Sequence, residues 1–233
     1  MHEFVYDDPS ERPITDVDAL VPEADYGRAL ESLRSAGFQL RTSNVFQTVL
    51  LAPGLPLPLD LHRRLFARSS FHMPSRELFA RGQHDRERYG VELVLPAPRD
   101  VFAHLVGHFV KSRGGEDSQR FQLRDFGALA ERCALEPRST AEHLVDCGLA
   151  RASRYALLCV PSELDARGFC RSTLAALPRD HTGSACATSM LRLRKSVSAR
   201  SSLAMLPGFV LEPSLPAAVG SFALRAWDHT FES

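Results

Sequence analysis

Ile14-Thr15-Asp16-Val17-Asp18-Ala19-Leu20-Val21 reads as an apolar β-strand interrupted by two carboxylates two residues apart. Side chains alternate faces along a strand, so Asp16 and Asp18 are expected on the same side. Two like charges on one face of a half-buried strand repel each other and are costly to desolvate. A divalent cation removes that cost, and a hard ion such as Mg²⁺ prefers oxygen ligands. The alternative is a strand end at the surface carrying two solvated acids.

A third carboxylate extends the pattern. Leu57-Pro58-Leu59-Asp60-Leu61-His62 alternates as well, with three leucines on one face and Pro58, Asp60 and His62 on the other. If this strand lies beside the first, Asp60 completes a three-carboxylate metal site. Pro58 fits an edge strand, where a missing backbone donor does least harm, so an edge strand with a wet face is the competing reading.

Arg12-Pro13-Ile14-Thr15-Asp16-Val17-Asp18-Ala19-Leu20-Val21 resembles the R-x-x-x-D-I-D-L-L-V signature of an uncharacterised bacterial nucleotidyltransferase-like family, within the DNA polymerase β-type nucleotidyltransferase superfamily. The resemblance continues through a helix ending at Gly37-Phe38 and through Leu59-Asp60-Leu61-His62. It runs on to Val101-Phe102-Ala103-His104-Leu105-Val106-Gly107-His108 and Leu123-Arg124-Asp125-Phe126-Gly127-Ala128-Leu129. It implies transfer of a nucleoside monophosphate from an NTP to a hydroxyl acceptor, which could be a small molecule, a protein side chain or an RNA end. It also implies Mg²⁺, with Asp16, Asp18 and Asp60 as metal-holding and catalytic residues, Asp60 serving the ion that activates the acceptor oxygen. Arg12, His108 and Lys111 are the candidates for contacting the nucleotide's phosphates.

One element departs from the superfamily pattern, in which a small-residue turn before the D-x-D strand holds the phosphates. Residues 1–11 contain no glycine and no lysine. The expectation is that the chain starts late or has lost that element. A second reading follows, a catalytically degenerate binding or regulatory module on the same fold. The third is a structural protein with solvated acids.

Composition bounds these readings. The 233 residues are 44% hydrophobic and 24% charged, which is ordinary for a globular protein with a sizeable core. Lys plus Arg and Asp plus Glu are 28 each, so net charge argues against bulk attraction to nucleic acid or to a membrane. Five cysteines, without a C-x-x-C pair, suggest buried free thiols and a reducing cytoplasm. No secretory leader or membrane-length apolar run is apparent.

The predicted fold class is α+β: a small mixed nucleotidyltransferase-type sheet with flanking helices, then a mainly helical domain. Pro22 opens a helix whose Tyr26, Ala29, Leu30 and Leu33 form a buried stripe and which Gly37 ends. Strands are expected at 38–41, 45–51 and 91–95, with the 38–41 and 45–51 strands antiparallel about a turn at 42–44, and a short helix at 75–81. Pro96-Ala97-Pro98 marks the junction between domains 1–96 and 97–233, since helical spacing dominates beyond it. Helices follow at 139–147, 151–159, 164–177 and 187–198, with a loop at 178–185 and a packed terminal segment at 221–227. His104, His108 and Lys111 form a polar stripe at helical spacing. H-x-x-x-H can bind zinc, but no third ligand is evident, and hydrogen-bonded histidines flanking the active cleft fit better.

Overall fold

The computed structural model of the protein describes residues 5–66, 71–87, 90–111 and 116–196. The fold is α+β, a four-stranded mixed sheet with helices followed by a helical region. The chain forms two compact units. Among the described residues, one is made of 8–66, 73–87 and 90–97, and the other of 98–111 and 116–196 together with residues 5–7 and 71–72.

In the first unit, β1 (Val17–Leu20), β2 (Gln39–Ser43), β3 (Gln47–Leu51) and β4 (Pro58–His62) lie in the order β1-β4-β3-β2. β4 runs parallel to β1 and antiparallel to β3, and β3 runs antiparallel to β2. The expected D-x-D strand is shorter than its apolar composition suggests. Ile14 and Val17 are exposed, and Asp16 lies one residue before the strand begins.

Pro22 leads into a 3₁₀ turn, Glu23–Asp25, before α1 (Tyr26–Ser35) winds regularly. At the other end Gly37 takes φ +91°, the left-handed conformation that a side chain resists, so Phe38 N–H can donate back to Leu33 C=O at 3.0 Å. The helix stripe does what its spacing predicts. Tyr26 joins Leu50 and Leu61 in the buried cluster, with Ala29, Leu30 and Leu33 packed against it alongside Ala19, Phe38 and Leu59. Tyr26 Oη donates to Thr48 Oγ1 at 2.6 Å, so the one polar atom of that ring is satisfied inside the core. Helix α1 and these residues occupy one face of the sheet, and strand alternation puts Asp18, Asp60 and His62 on the other.

The turn between β2 and β3 sits later than expected. β2 continues to Ser43, and Asn44 Oδ1 accepts from Phe46 N–H at 2.8 Å and Gln47 N–H at 3.0 Å to reverse the chain. The helix expected at 75–81 is α2 (Ser75–Arg81). It runs into a two-stranded ribbon, β5 (Gln83–Asp85) and β6 (Leu93–Leu95). Gly82 lies at that junction because a Cβ there would meet Val94 Cγ1 at 2.4 Å and Leu95 O at 2.9 Å.

The helical unit contains α3 (Pro98–Lys111), α4 (Glu116–Arg132), α5 (Pro137–Asp146), α6 (Ala150–Cys159), α7 (Phe169–Ala176) and α8 (His181–Ser196). Its centre is aromatic. Phe102 lies edge-on to Phe126 at 5.4 Å and to Phe169 at 5.5 Å. Two buried acids are each matched: Asp100 Oδ1 lies 2.9 Å from His143 Nε2, and Asp125 accepts from Tyr6 Oη at 2.6 Å.

Two helix starts differ from expectation. The helix expected from Leu164 begins only at Phe169, because Arg167 and Gly168 take φ of 54° and 71°. Asp165 then caps it, accepting from Cys170 N–H at 2.6 Å. The loop expected at 178–185 ends early, since Asp180 Oδ1 accepts from Gly183 N–H at 2.8 Å and starts α8 at His181. The segment expected at 221–227 lies outside the described residues, as do the side chains of 191–198.

Candidate functional site

The parallel pairing of β1 with β4 sets Asp18 directly beside Asp60, and Leu20 beside His62. On the far side of β4, Asp60 pairs with Val49 and His62 with Gln47. A row of side chains therefore crosses one face of the sheet from Asp18 through Asp60 to Val49.

Asp18 is exposed, Asp60 is half-buried, and the His62 side chain is only 11% exposed. Gln47 Nε2 donates to Asp60 Oδ2 at 3.1 Å. His62 Nε2 lies 2.8 Å from Asp18 Oδ1. An ionised carboxylate only accepts, so the imidazole donates to Asp18 through Nε2–H. His62 Nδ1 is buried with no hydrogen-bond partner. Burial pushes the Asp60 carboxyl above the usual range, and the charges of Asp18 and Asp16 push it further. His62 and Arg41 act in the opposite direction.

Asp18, Asp60 and His62 each offer one ligand atom, and those atoms lie within 4.8 Å of one another. Among the described residues this is the one such group of metal-ligating side chains. Its donor chemistry fits a divalent cation, and two oxygen donors side by side on neighbouring strands suit a hard one.

Of the residues named from the sequence, Asp18 and Asp60 are strand neighbours. Asp16 precedes them in an exposed segment, near enough to act on the charge of Asp60. Arg12 is half-buried just after the short 3₁₀ turn Pro9–Glu11. His108 and Lys111 are on α3 in the helical unit. There His108 Nδ1 lies 3.1 Å from Gln122 Nε2, and Lys111 Nζ stands 5.2 Å over the Phe71 ring. The His104 and His108 rings are 5.8 Å apart.

The sequence reading put His62 on the polar face of its strand without giving it a role. The signal was present in its two-residue spacing from Asp60. Its partner Asp18, 44 residues away, is fixed only by the parallel pairing.

A four-stranded mixed sheet with neighbouring aspartates on one face and a helix on the other is an arrangement suited to metal-assisted phosphate chemistry. The chain belongs to the uncharacterised nucleotidyltransferase family, whose model matches residues 1–164. Membership makes nucleotidyl transfer the class of reaction and an NTP the class of substrate. No curated protein and no solved structure gives a match. Among the described residues no helix is long and apolar enough to cross a membrane.

Proposed function

We propose that the protein is a Mg²⁺-dependent nucleotidyltransferase that moves a nucleoside monophosphate from an NTP to a hydroxyl acceptor. The observation that carries this reading is the side-by-side placement of Asp18 and Asp60 in a chain of this family. Asp18 and Asp60, with Asp16 at the strand entrance, would hold the ion. His62 orients Asp18 through Nε2–H, which leaves the oxygen donors to the metal and favours Mg²⁺ over a softer ion. When bound, the cation supplies charge neutralisation for the phosphate oxygens and the acceptor oxygen.

The chain's own residues carry the proton. Asp60 is a stronger base than an ordinary carboxylate because burial and its acidic neighbours disfavour its charge. It takes the proton of the acceptor hydroxyl as that oxygen bonds to the α-phosphorus. The bond from that phosphorus to the oxygen bridging to the β-phosphate breaks, and pyrophosphate leaves. Arg12, His108 and Lys111 are the proposed phosphate contacts, and we place the boundary between the two domains at residues 96 and 97. The five free thiols suit the reducing cytoplasm, where we place the protein.

Calorimetric titration of ATP, GTP, CTP and UTP, with and without Mg²⁺, tests the reading. A triphosphate is strongly anionic, so without metal it is repelled by Asp16, Asp18 and Asp60. Binding of at least one nucleotide in Mg²⁺, and much weaker binding in chelator, is the expected result. Absence of binding in Mg²⁺ would favour a catalytically degenerate module.

A further inference from the structure

β2 pairs with β3 in a register that slips by one residue. Leu40 lies opposite Leu50 and Thr42 opposite Val49, so Arg41 has no partner across the ladder. The slip decides which way Arg41 faces. Leu50 belongs to the core on the α1 side, so Leu40 faces that side and alternation turns Arg41 to the opposite one. Counting back from the other end gives Thr42 the same direction. Ser43 Oγ lies 2.8 Å from Thr48 Oγ1, which is itself hydrogen-bonded to Tyr26, and Ser43 is therefore on the α1 side. Without the bulge one of these two neighbours would face the core. With it, Arg41 and Thr42 both stand on the face that carries Asp18 and Asp60.

The cross-strand row then reads Thr42, Val49, Asp60, Asp18, from β2 to β1. Arg41 stands at its basic end, exposed on the edge strand, and the carboxylates stand at its acidic end. Two strand spacings, on the order of 10 Å, separate the backbones of β2 and β4. The strand between them presents Val49, a short apolar side chain, to this face.

We propose that Arg41, turned to the acidic face by the β2 bulge, binds the polyphosphate of the nucleotide across β3 from the carboxylates. This rests on the nucleotidyltransferase reading and adds a further phosphate-binding cation to it. The phosphate end that a cation held by Asp18 and Asp60 would neutralise would lie over those two residues. The remaining phosphates run over Val49 to the guanidinium, whose planar fork pairs two oxygens at once, with the Thr42 hydroxyl beside it.

The test compares wild type with Arg41→Ala and Arg41→Lys by calorimetry in Mg²⁺. The probes are the four NTPs, inorganic tripolyphosphate and the four nucleoside monophosphates, and Mn²⁺ alone is titrated by electron paramagnetic resonance. Arg41→Ala should weaken NTP and tripolyphosphate binding about ten-fold or more, equally for all four bases. It should leave monophosphate binding unchanged and should not weaken Mn²⁺ binding, since it removes a cation from the neighbourhood of the acids. Arg41→Lys should fall between, because it keeps the charge and loses the fork. Wild-type NTP affinity in Arg41→Ala would overturn the assignment while leaving the nucleotidyltransferase reading intact. So would an equal loss for tri- and monophosphates, or a loss of Mn²⁺ binding. Absence of NTP and tripolyphosphate binding by wild type would overturn both.

Discussion

Asp60→Asn is expected to lower metal-dependent NTP affinity at least ~100-fold, beyond the loss usual for a residue that only supports a ligand. The same substitution should stabilise the protein in the absence of metal and nucleotide at neutral pH. The reason is the charge that Asp60 carries there. It is half-buried and faces Asp18 and Asp16, and its pKa is raised in the fold. A raised pKa means that the folded chain holds a proton that the unfolded chain has already released over the intervening pH range. Wild type therefore gains stability from this group as pH falls through the folded pKa, and that gain is absent at pH 7. The asparagine variant does not titrate. Its advantage over wild type should be full near neutrality and should close as pH falls below the ordinary carboxylate range. Thermal melts of both proteins across that range in chelator, with calorimetric NTP titrations in Mg²⁺ at pH 7, measure the two effects. A variant that binds NTP like wild type, or that is less stable than wild type at pH 7, would remove Asp60 from its assigned place.

Phe102→Ala should cost about 3–5 kcal/mol of stability in the helical unit, the range found for emptying a buried aromatic site. Phe102 has no exposed surface, and its ring lies edge-on to Phe126 on α4 and to Phe169 at the start of α7. Removing it opens a cavity at the point where three helices meet. Phe126 is itself held against Phe109 at 6.0 Å, so the site has little freedom to collapse. Such a loss is a large part of the stability of an ordinary domain. Denaturant unfolding followed by far-ultraviolet circular dichroism reads it directly, and a loss below about 1 kcal/mol would contradict the packing described for this unit.

What could be read from the sequence was local and periodic. The stripe Tyr26, Ala29, Leu30 and Leu33 has helical spacing, and each of those residues packs where the spacing points. Leu59 and Leu61 alternate with Asp60 and His62, and the two sets part onto opposite faces of the sheet. Other features depend on signals that a sequence pattern does not carry. β5 is three polar residues long, too short and too hydrophilic for alternation to show, and its pairing with β6 defines it. The late start of α7 turns on left-handed backbone at Arg167 and Gly168, inside a run that otherwise reads as helix. Asp180 looks like a loop residue until its carboxylate caps Gly183.

The site was legible as a set of acids. The hydrogen bond from His62 to Asp18 and the facing of Arg41 were not, because each is fixed by strands that meet only in the fold. A regular strand at 39–43 would read the same in sequence as one with a bulge.

On the proposed function, the acidic face of the sheet is a metal centre. Diffraction from crystals grown with Mn²⁺ and a non-hydrolysable NTP analogue, recorded at an energy where manganese scatters anomalously, tests it most directly. The expected result is an anomalous peak between the carboxylates of Asp18 and Asp60, on the order of 2 Å from their oxygens. His62 should remain hydrogen-bonded to Asp18. A nucleotide-bound crystal with no peak at these aspartates, or with its peak at His104 and His108 instead, would contradict it.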